Sequence, residues 1–202
     1  MKLFGTLTSP YARKARLVLL EKNIAHDFVV DAPREPGSQV PRINPLGRIP
    51  ALILDDETCV FDSPVIAEYA DMLNDAPILI PRDDPLARMR VKRWEALADG
   101  IVDSAVVVRM ERIRPEEKQD EGNIIRNNDA ISRALVFAVE LLGEHEWCEG
   151  SAITLADLAL MSALIYLDLR QPERDWRGVH PSLAAWYARV SERPSVRASL
   201  AE

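Results

Sequence analysis

Short apolar runs alternate with helical patterns over the first third of the chain, and then the short runs stop. Lys2 to Leu7 and His26 to Val30 read as strands. Ala51 to Leu54 and Thr58 to Phe61 read as a second pair around the polar turn Asp55-Asp56-Glu57. Pro10 to Lys22 reads as a helix between the first two strands, and an irregular or helical piece follows the second. After the last strand, Val65, Ile66, Tyr69, Ala70 and Leu73 keep helical spacing. This order predicts a small mixed sheet with helices on its faces.

Residues 74–85 carry three prolines and read as a linker, with Ile78, Leu79 and Ile80 expected to pack against the body of the protein. Beyond Leu86 the pattern is helical throughout. Trp94, Leu97, Ile101, Ala105 and Val108 share one face of a helix, as do Ile131, Leu135, Ala138 and Leu142. Leu155 to Leu169 is apolar on nearly every side, the mark of a buried central helix. Pro181 to Glu192 and Pro194 to Leu200 read as short closing helices. The expected domains are 1–75, an α/β unit, and 86–202, all helical, joined by a linker at 76–85.

Composition narrows the field. The 202 residues are 48% hydrophobic and 28% charged, which suits a globular protein with a sizeable core. A net charge of −7 argues against a nucleic-acid backbone as the main partner. Cys59 and Cys148 are too few for a disulfide scaffold or a multi-thiolate metal site. No signal peptide or transmembrane run is expected, and a cytoplasmic address follows as an expectation. His26, His145 and His180 share no ligand spacing, so no metal is expected. Cys59 is expected in the core and Cys148 in a loop, exposed.

Three Xaa-Pro pairs open predicted helices: Ser9-Pro10, Ser63-Pro64 and Asp84-Pro85. Each sets a capping side chain before a proline at the first helical position. A helix N-terminus has spare N–H groups and a positive dipole end, so it also favours a bound anion. The Ser9 hydroxyl can accept from its own helix while donating outward, for instance to a thiolate. Asp62-Ser63-Pro64 can clamp an amino acid: Ser63 and the helix N–H groups take an α-carboxylate, Asp62 an α-ammonium. Pro50, at a strand start, is a position at which a cis proline can occur, which would leave the backbone before it facing a ligand.

Three segments jointly resemble the cytosolic glutathione S-transferase superfamily, and within it bacterial YibF-like, serine-type members. They are Ser9-Pro10-Tyr11-Ala12-Arg13-Lys14, Asn44-Pro45-Leu46-Gly47-Arg48-Ile49-Pro50 and Phe61-Asp62-Ser63-Pro64-Val65-Ile66-Ala67-Glu68-Tyr69. Ser151-Ala152-Ile153-Thr154-Leu155-Ala156-Asp157 is similar to the family's buried-helix cap. Here Thr154 and Asp157 make a capping box, and Ile153 and Leu158 a hydrophobic staple, so Asp157 reads as structural. The resemblance implies a thioredoxin-like N-terminal domain, an all-helical C-terminal domain, a homodimer and a detoxifying enzyme. Glutathione would be the cosubstrate, with no metal. Ile49 and a cis Pro50 would pair its cysteinyl part, Asp62 and Ser63 would hold its γ-glutamyl end, and Ser9 would face the sulfur as the catalytic residue.

The sequence also departs from family patterns. Ser9 stands where glutaredoxin-like and omega-like members carry a cysteine, which argues against mixed-disulfide chemistry. Thr8 is an alternative donor. Residues 3–7 lack the tyrosine of tyrosine-type members, and Tyr11 reads as packing or pocket wall. The loop 31–43 is the least similar part, leaving Arg42 and Arg48 as carboxylate partners at most. Asp99 matches a position through which some members' partner subunit reaches the γ-glutamyl ammonium, and equally reads as an exposed helix carboxylate. Arg109, Arg112 and Arg114 can attract an acidic second substrate or form a solvated face. The leading expectation is an enzyme in which glutathione attacks a small electrophile. A glutathione-dependent isomerase or dehalogenase, and a non-catalytic binding or regulatory protein, are the alternatives.

Overall fold

A computed structural model describes residues 1–200 and divides them into two compact units. Unit 1 runs from Met1 to Arg82 and takes in the chain from Glu192 onward; unit 2 is Asp83–Ser191. The expected division puts everything after residue 86 in one helical domain. The last helix instead belongs with the first unit, because its polar contacts are all made there.

Unit 1 is built on strands β1 (Lys2–Gly5), β2 (Asp27–Val30), β3 (Ala51–Ile53) and β4 (Cys59–Val60), in the order β2-β1-β3-β4. β1 runs parallel to β2 and antiparallel to β3, and β4 is antiparallel to β3. Period-two alternation then sorts the side chains. Leu3, Phe28, Leu52 and Val60 share one face by register; Phe4, Val29 and Ala51 share the other. The second face closes on Val40 and Ile43 of the short helix α2 (Val40–Ile43). The first face meets α1 (Pro10–Glu21), which packs on α3 (Ser63–Met72). Gly5 makes that close approach possible, since a Cβ there would lie 2.7 Å from the Ala12 Cβ.

The first strand ends at Gly5, two residues short of expectation. The Leu7 carbonyl is taken by the Arg13 guanidinium instead of by a neighbouring strand. The proline-rich segment packs through Leu79 and Ile80, which are fully buried, whereas Ile78, also expected to pack, is exposed. Lys22 holds it, donating to the Asn74 and Pro77 carbonyls at 2.8 and 2.7 Å and pairing with Asp71 at 3.3 Å. Asp71 in turn accepts from the Leu79 N–H at 2.7 Å. The last helix, α9 (Pro194–Leu200), lies on α1: Arg193 reaches Glu21 through two nitrogens, each at 2.8 Å.

Unit 2 holds α4 (Pro85–Arg112), α5 (Glu121–Leu142), α6 (Leu155–Arg170), α7 (Trp176–Val179) and α8 (Pro181–Ser191). Every residue of α6 from Leu155 to Leu167 is buried, against α4 above all. The apolar faces expected on α4 and α5 are buried, apart from the half-buried Leu97. α6 opens on the expected capping box of Thr154 and Asp157. Asp157 does more than cap, accepting from the Cys148 N–H at 2.8 Å. That bond draws Cys148 inside, so this cysteine is buried, contrary to expectation.

Candidate functional site at one end of the sheet

The register gathers the three ligand-facing motifs. Phe4 pairs with Ala51 and Leu52 with Val60 in antiparallel ladders. The chain therefore leaves β1 at Thr6, enters β3 at Pro50 and leaves β4 at Phe61, all at the same end of the sheet. β1 and β4 each antiparallel to β3 are parallel to one another. The helices that follow them, α1 and α3, both start at this end.

Ser9 is the N-cap of α1. Its N–H donates to the Thr6 carbonyl at 3.1 Å, which closes the turn out of β1. Its Oγ accepts from the Ala12 N–H at 3.2 Å, so the hydroxyl proton is left to point elsewhere. Ser9 is largely buried, and the neighbouring Thr8 is exposed. Tyr11 is half-buried on α1.

The Ile49–Pro50 peptide is cis. The loop before it is organised by Asn44, a residue that sequence reasoning did not single out. Its Nδ2 donates to the Arg48 carbonyl at 2.7 Å and its Oδ1 accepts from the Leu46 N–H at 3.0 Å. Gly47 sits at φ +58°, where glycine is favoured, and donates to the Asn44 carbonyl at 2.8 Å. That glycine two residues after a proline is the signal that marks the turn. Arg42 and Arg48 are exposed.

Asp62, not Ser63, is the N-cap of α3; Ser63 is the first helical residue, one position from expectation. The Asp62 side chain makes no capping bond and is exposed, whereas Ser63 is buried. The Phe61–Asp62 peptide is also cis. Ile66 closes the first turn on the Asp62 carbonyl at 3.0 Å. The earlier N–H groups of the helix have no intrahelical acceptor, and Pro64 contributes none. Neither α1 nor α3 has an acidic residue in its first turn, so the positive end of α1 is left uncompensated by its own side chains and that of α3 faces only the exposed Asp62 carboxylate at its N-cap.

The two thiols are held in the protonated form. Burial pushes Cys59 up; burial and then the Asp157 charge push Cys148 well up. Asp99 lies half-buried in mid-α4, in unit 2. There, Arg112 pairs with Glu173 at 2.7 Å and Arg114, just past the helix, with Glu111 at 2.8 Å. Among the described residues, no three His, Cys, Asp or Glu side chains gather as a metal site, and no helix is long and apolar enough to cross a membrane.

A four-stranded mixed sheet with helices on both faces, a cis proline at a strand start and a separate all-helical unit together define the two-part glutathione S-transferase fold. The comparisons agree. The pattern for the glutathione S-transferase N-terminal domain matches residues 8–73, and that for the C-terminal domain residues 121–189. The chain belongs to the glutathione S-transferase family. It is 37% identical over 195 residues, 96% of each chain, to the uncharacterized GST-like protein YibF of Escherichia coli K12. A glutathione S-transferase from Methylobacillus flagellatus KT, solved with glutathione bound, superposes with a TM-score of 0.95 at 42% identity over 98% of each chain. Human elongation factor 1-gamma is 28% identical over 161 residues, which is 78% of this chain and 35% of that protein.

Proposed function

We propose that the protein is a serine-type glutathione transferase, which lays glutathione along one end of the sheet and holds its sulfur as thiolate for attack on a small electrophile. The observation that carries this reading is the convergence there of Ser9, the cis Ile49–Pro50 pair and Asp62-Ser63, with two helix N-termini. Adjacent strands are about 4.8 Å apart, so sites on β1, β3 and β4 span roughly 10 Å. An extended tripeptide, at about 3.3–3.6 Å per residue, covers the same distance.

In this reading the Ile49 backbone pairs with the cysteinyl residue of glutathione. Ser63 and the open N–H groups of α3 take the γ-glutamyl carboxylate, and Asp62 takes its ammonium. Ser9 donates its free proton direction to the sulfur. That donor and the positive end of α1 lower the thiol below its ordinary value of about 8.5, raising the nucleophilic fraction at neutral pH. Neither cysteine of the chain offers a competing thiolate. We infer a homodimer, with Val65 and Met72, exposed a heptad apart on α3, as part of the surface presented to the second copy.

Calorimetric titration of glutathione, with thiolate absorbance followed against pH, tests the assignment. Wild type binds; Ser63→Ala weakens binding about tenfold; Ser9→Ala binds but raises the thiol pKa. If Thr8→Val gives that signature instead, Thr8 is the donor. No binding by wild type at about millimolar glutathione overturns the reading. The likeness to elongation factor 1-gamma favours a second reading, a non-catalytic binding protein, which would show no turnover of any electrophile. An isomerase would return glutathione unchanged, and a reductive dehalogenase would yield its disulfide.

A further inference from the structure

Ile49 stands past the end of the ladders on either side of it. Extended by two residues, the β1–β3 register sets Ile49 opposite Thr6. The Thr6 carbonyl, however, has turned to the Ser9 N–H at 3.1 Å. Among the described residues the Ile49 N–H finds no acceptor and the Ile49 carbonyl no donor. The residue is half-buried, with its side chain packed against the cluster of Phe4, Val40 and Ala51. Backbone groups in the interior are nearly always paired, so an open donor and acceptor on one half-buried residue invite a ligand. They match the two groups of a peptide residue docked antiparallel.

Asn44 decides where that donor points. It is 1% exposed. Its Nδ2 donates to the Arg48 carbonyl at 2.7 Å and its Oδ1 accepts from the Leu46 N–H at 3.0 Å. These partners fix the orientation of the amide, because a carbonyl only accepts and an N–H only donates. The Arg48–Ile49 peptide is trans, so its C=O and N–H point in opposite directions. Holding the Arg48 carbonyl toward Asn44 therefore turns the Ile49 N–H to the other side of the chain. Asn44 is itself anchored: its N–H donates at 2.8 Å to the carbonyl of Val40, which is fully buried in the same cluster.

We infer that Asn44 is a positioning residue for the cysteinyl part of glutathione, acting through the Arg48–Ile49 peptide plane. This role rests on the proposed glutathione site and adds to it the side chain that aims the Ile49 N–H. A carboxamide serves both partners; an ionised aspartate cannot donate to Arg48, and alanine can do neither. A purely structural role, fastening the turn at 44–48, would lower stability without discriminating between ligands.

The test pairs a change in the protein with a change in the ligand. Glutathione and its depsipeptide analogue, with an ester in place of the γ-glutamyl–cysteinyl amide, are titrated calorimetrically into the full chain. The ester lacks the N–H that the Ile49 carbonyl would accept. Wild type binds glutathione about tenfold more tightly than the ester. In Asn44→Ala that ratio falls to within about twofold, because the backbone pair is already broken, and glutathione itself binds about tenfold more weakly. Asn44→Asp, which keeps the acceptor for Leu46, gives the same collapsed ratio and serves if Asn44→Ala does not fold. Without ligand, the Ile49 amide order parameter from nitrogen relaxation falls from about 0.85 to below about 0.6 in both variants, with the Leu3 and Phe4 amides unchanged. If wild type binds no glutathione, the site reading and the role of Asn44 fall together. If wild type binds glutathione, the role of Asn44 alone is overturned by equal affinity for the ester, or by an unchanged ratio or an unchanged Ile49 amide in the variants.

Discussion

Arg13 donates from Nη2 to the Leu7 carbonyl oxygen at 2.5 Å, and so fixes the loop that delivers Ser9 to the start of α1. The same guanidinium reaches the Ser199 carbonyl at 2.7 Å through Nη1. Arg13→Ala removes two charge-assisted bonds at once. It should cost roughly 1.5–3 kcal/mol in denaturant unfolding. Because the loop loosens, glutathione affinity should fall as well, by titration under conditions where the variant is folded.

Gly5→Ala tests the contact between α1 and the sheet. The added methyl would sit 2.7 Å from Ala12 and 3.1 Å from the Phe28 ring, so the helix must move. Overpacking of this kind costs about 1–3 kcal/mol. A melting temperature unchanged from wild type would show that α1 can give way freely.

Glu21 gives the first unit a pH dependence of definite sign. Burial opposes its ionisation, but hydrogen bonds from Arg193 and Ser195 and the Arg193 charge together hold it below the usual carboxylate value. A depressed folded pKa means that stability is present above the unfolded value, about 4.3, and is lost as pH falls through the folded one. Glu21→Gln should therefore destabilise most at neutral pH, by roughly 2–4 kcal/mol. The gap to wild type should close below about pH 4, read from urea midpoints across pH.

Asp157→Ala should unfold unit 2 more readily without touching chemistry. Its Oδ2 accepts from the Thr154 N–H at 2.8 Å and its Oδ1 from the Cys148 N–H at 2.8 Å. Losing both leaves buried donors unsatisfied, at roughly 2–4 kcal/mol. The variant's kcat for any electrophile found should match wild type at a temperature where both are folded. A large fall in kcat with unchanged stability would make Asp157 a chemical residue after all.

Legibility in the sequence tracks how local each interaction is. The Thr154–Asp157 box spans three residues and reads directly, as does the capping by Asp84, which accepts from Leu86 and Ala87. The cis Pro50 was legible as a possibility from its place before a strand, and as an expectation from the family resemblance. Ser63 is a one-residue miss, because its capping role falls to the backbone of Asp62. Cys148 was misread because its burial depends on a carboxylate nine residues away. Asn44 is legible only as a member of the 44–50 motif, without a role of its own, since its work is to bond two backbone groups of its own loop. The four-residue helix α7 is too short to show a period.

The return of α9 to α1 has a consequence for biosynthesis. Most of unit 1 precedes unit 2 in the order of synthesis, yet Glu21 and Arg13 find their partners at Arg193, Ser195 and Ser199 only after all of unit 2 has been made. Vectorial synthesis would thus start the α/β unit first and complete it last. A translation product halted at residue 191 would expose the outer side of α1 to chaperones and proteases while its helical half was already whole.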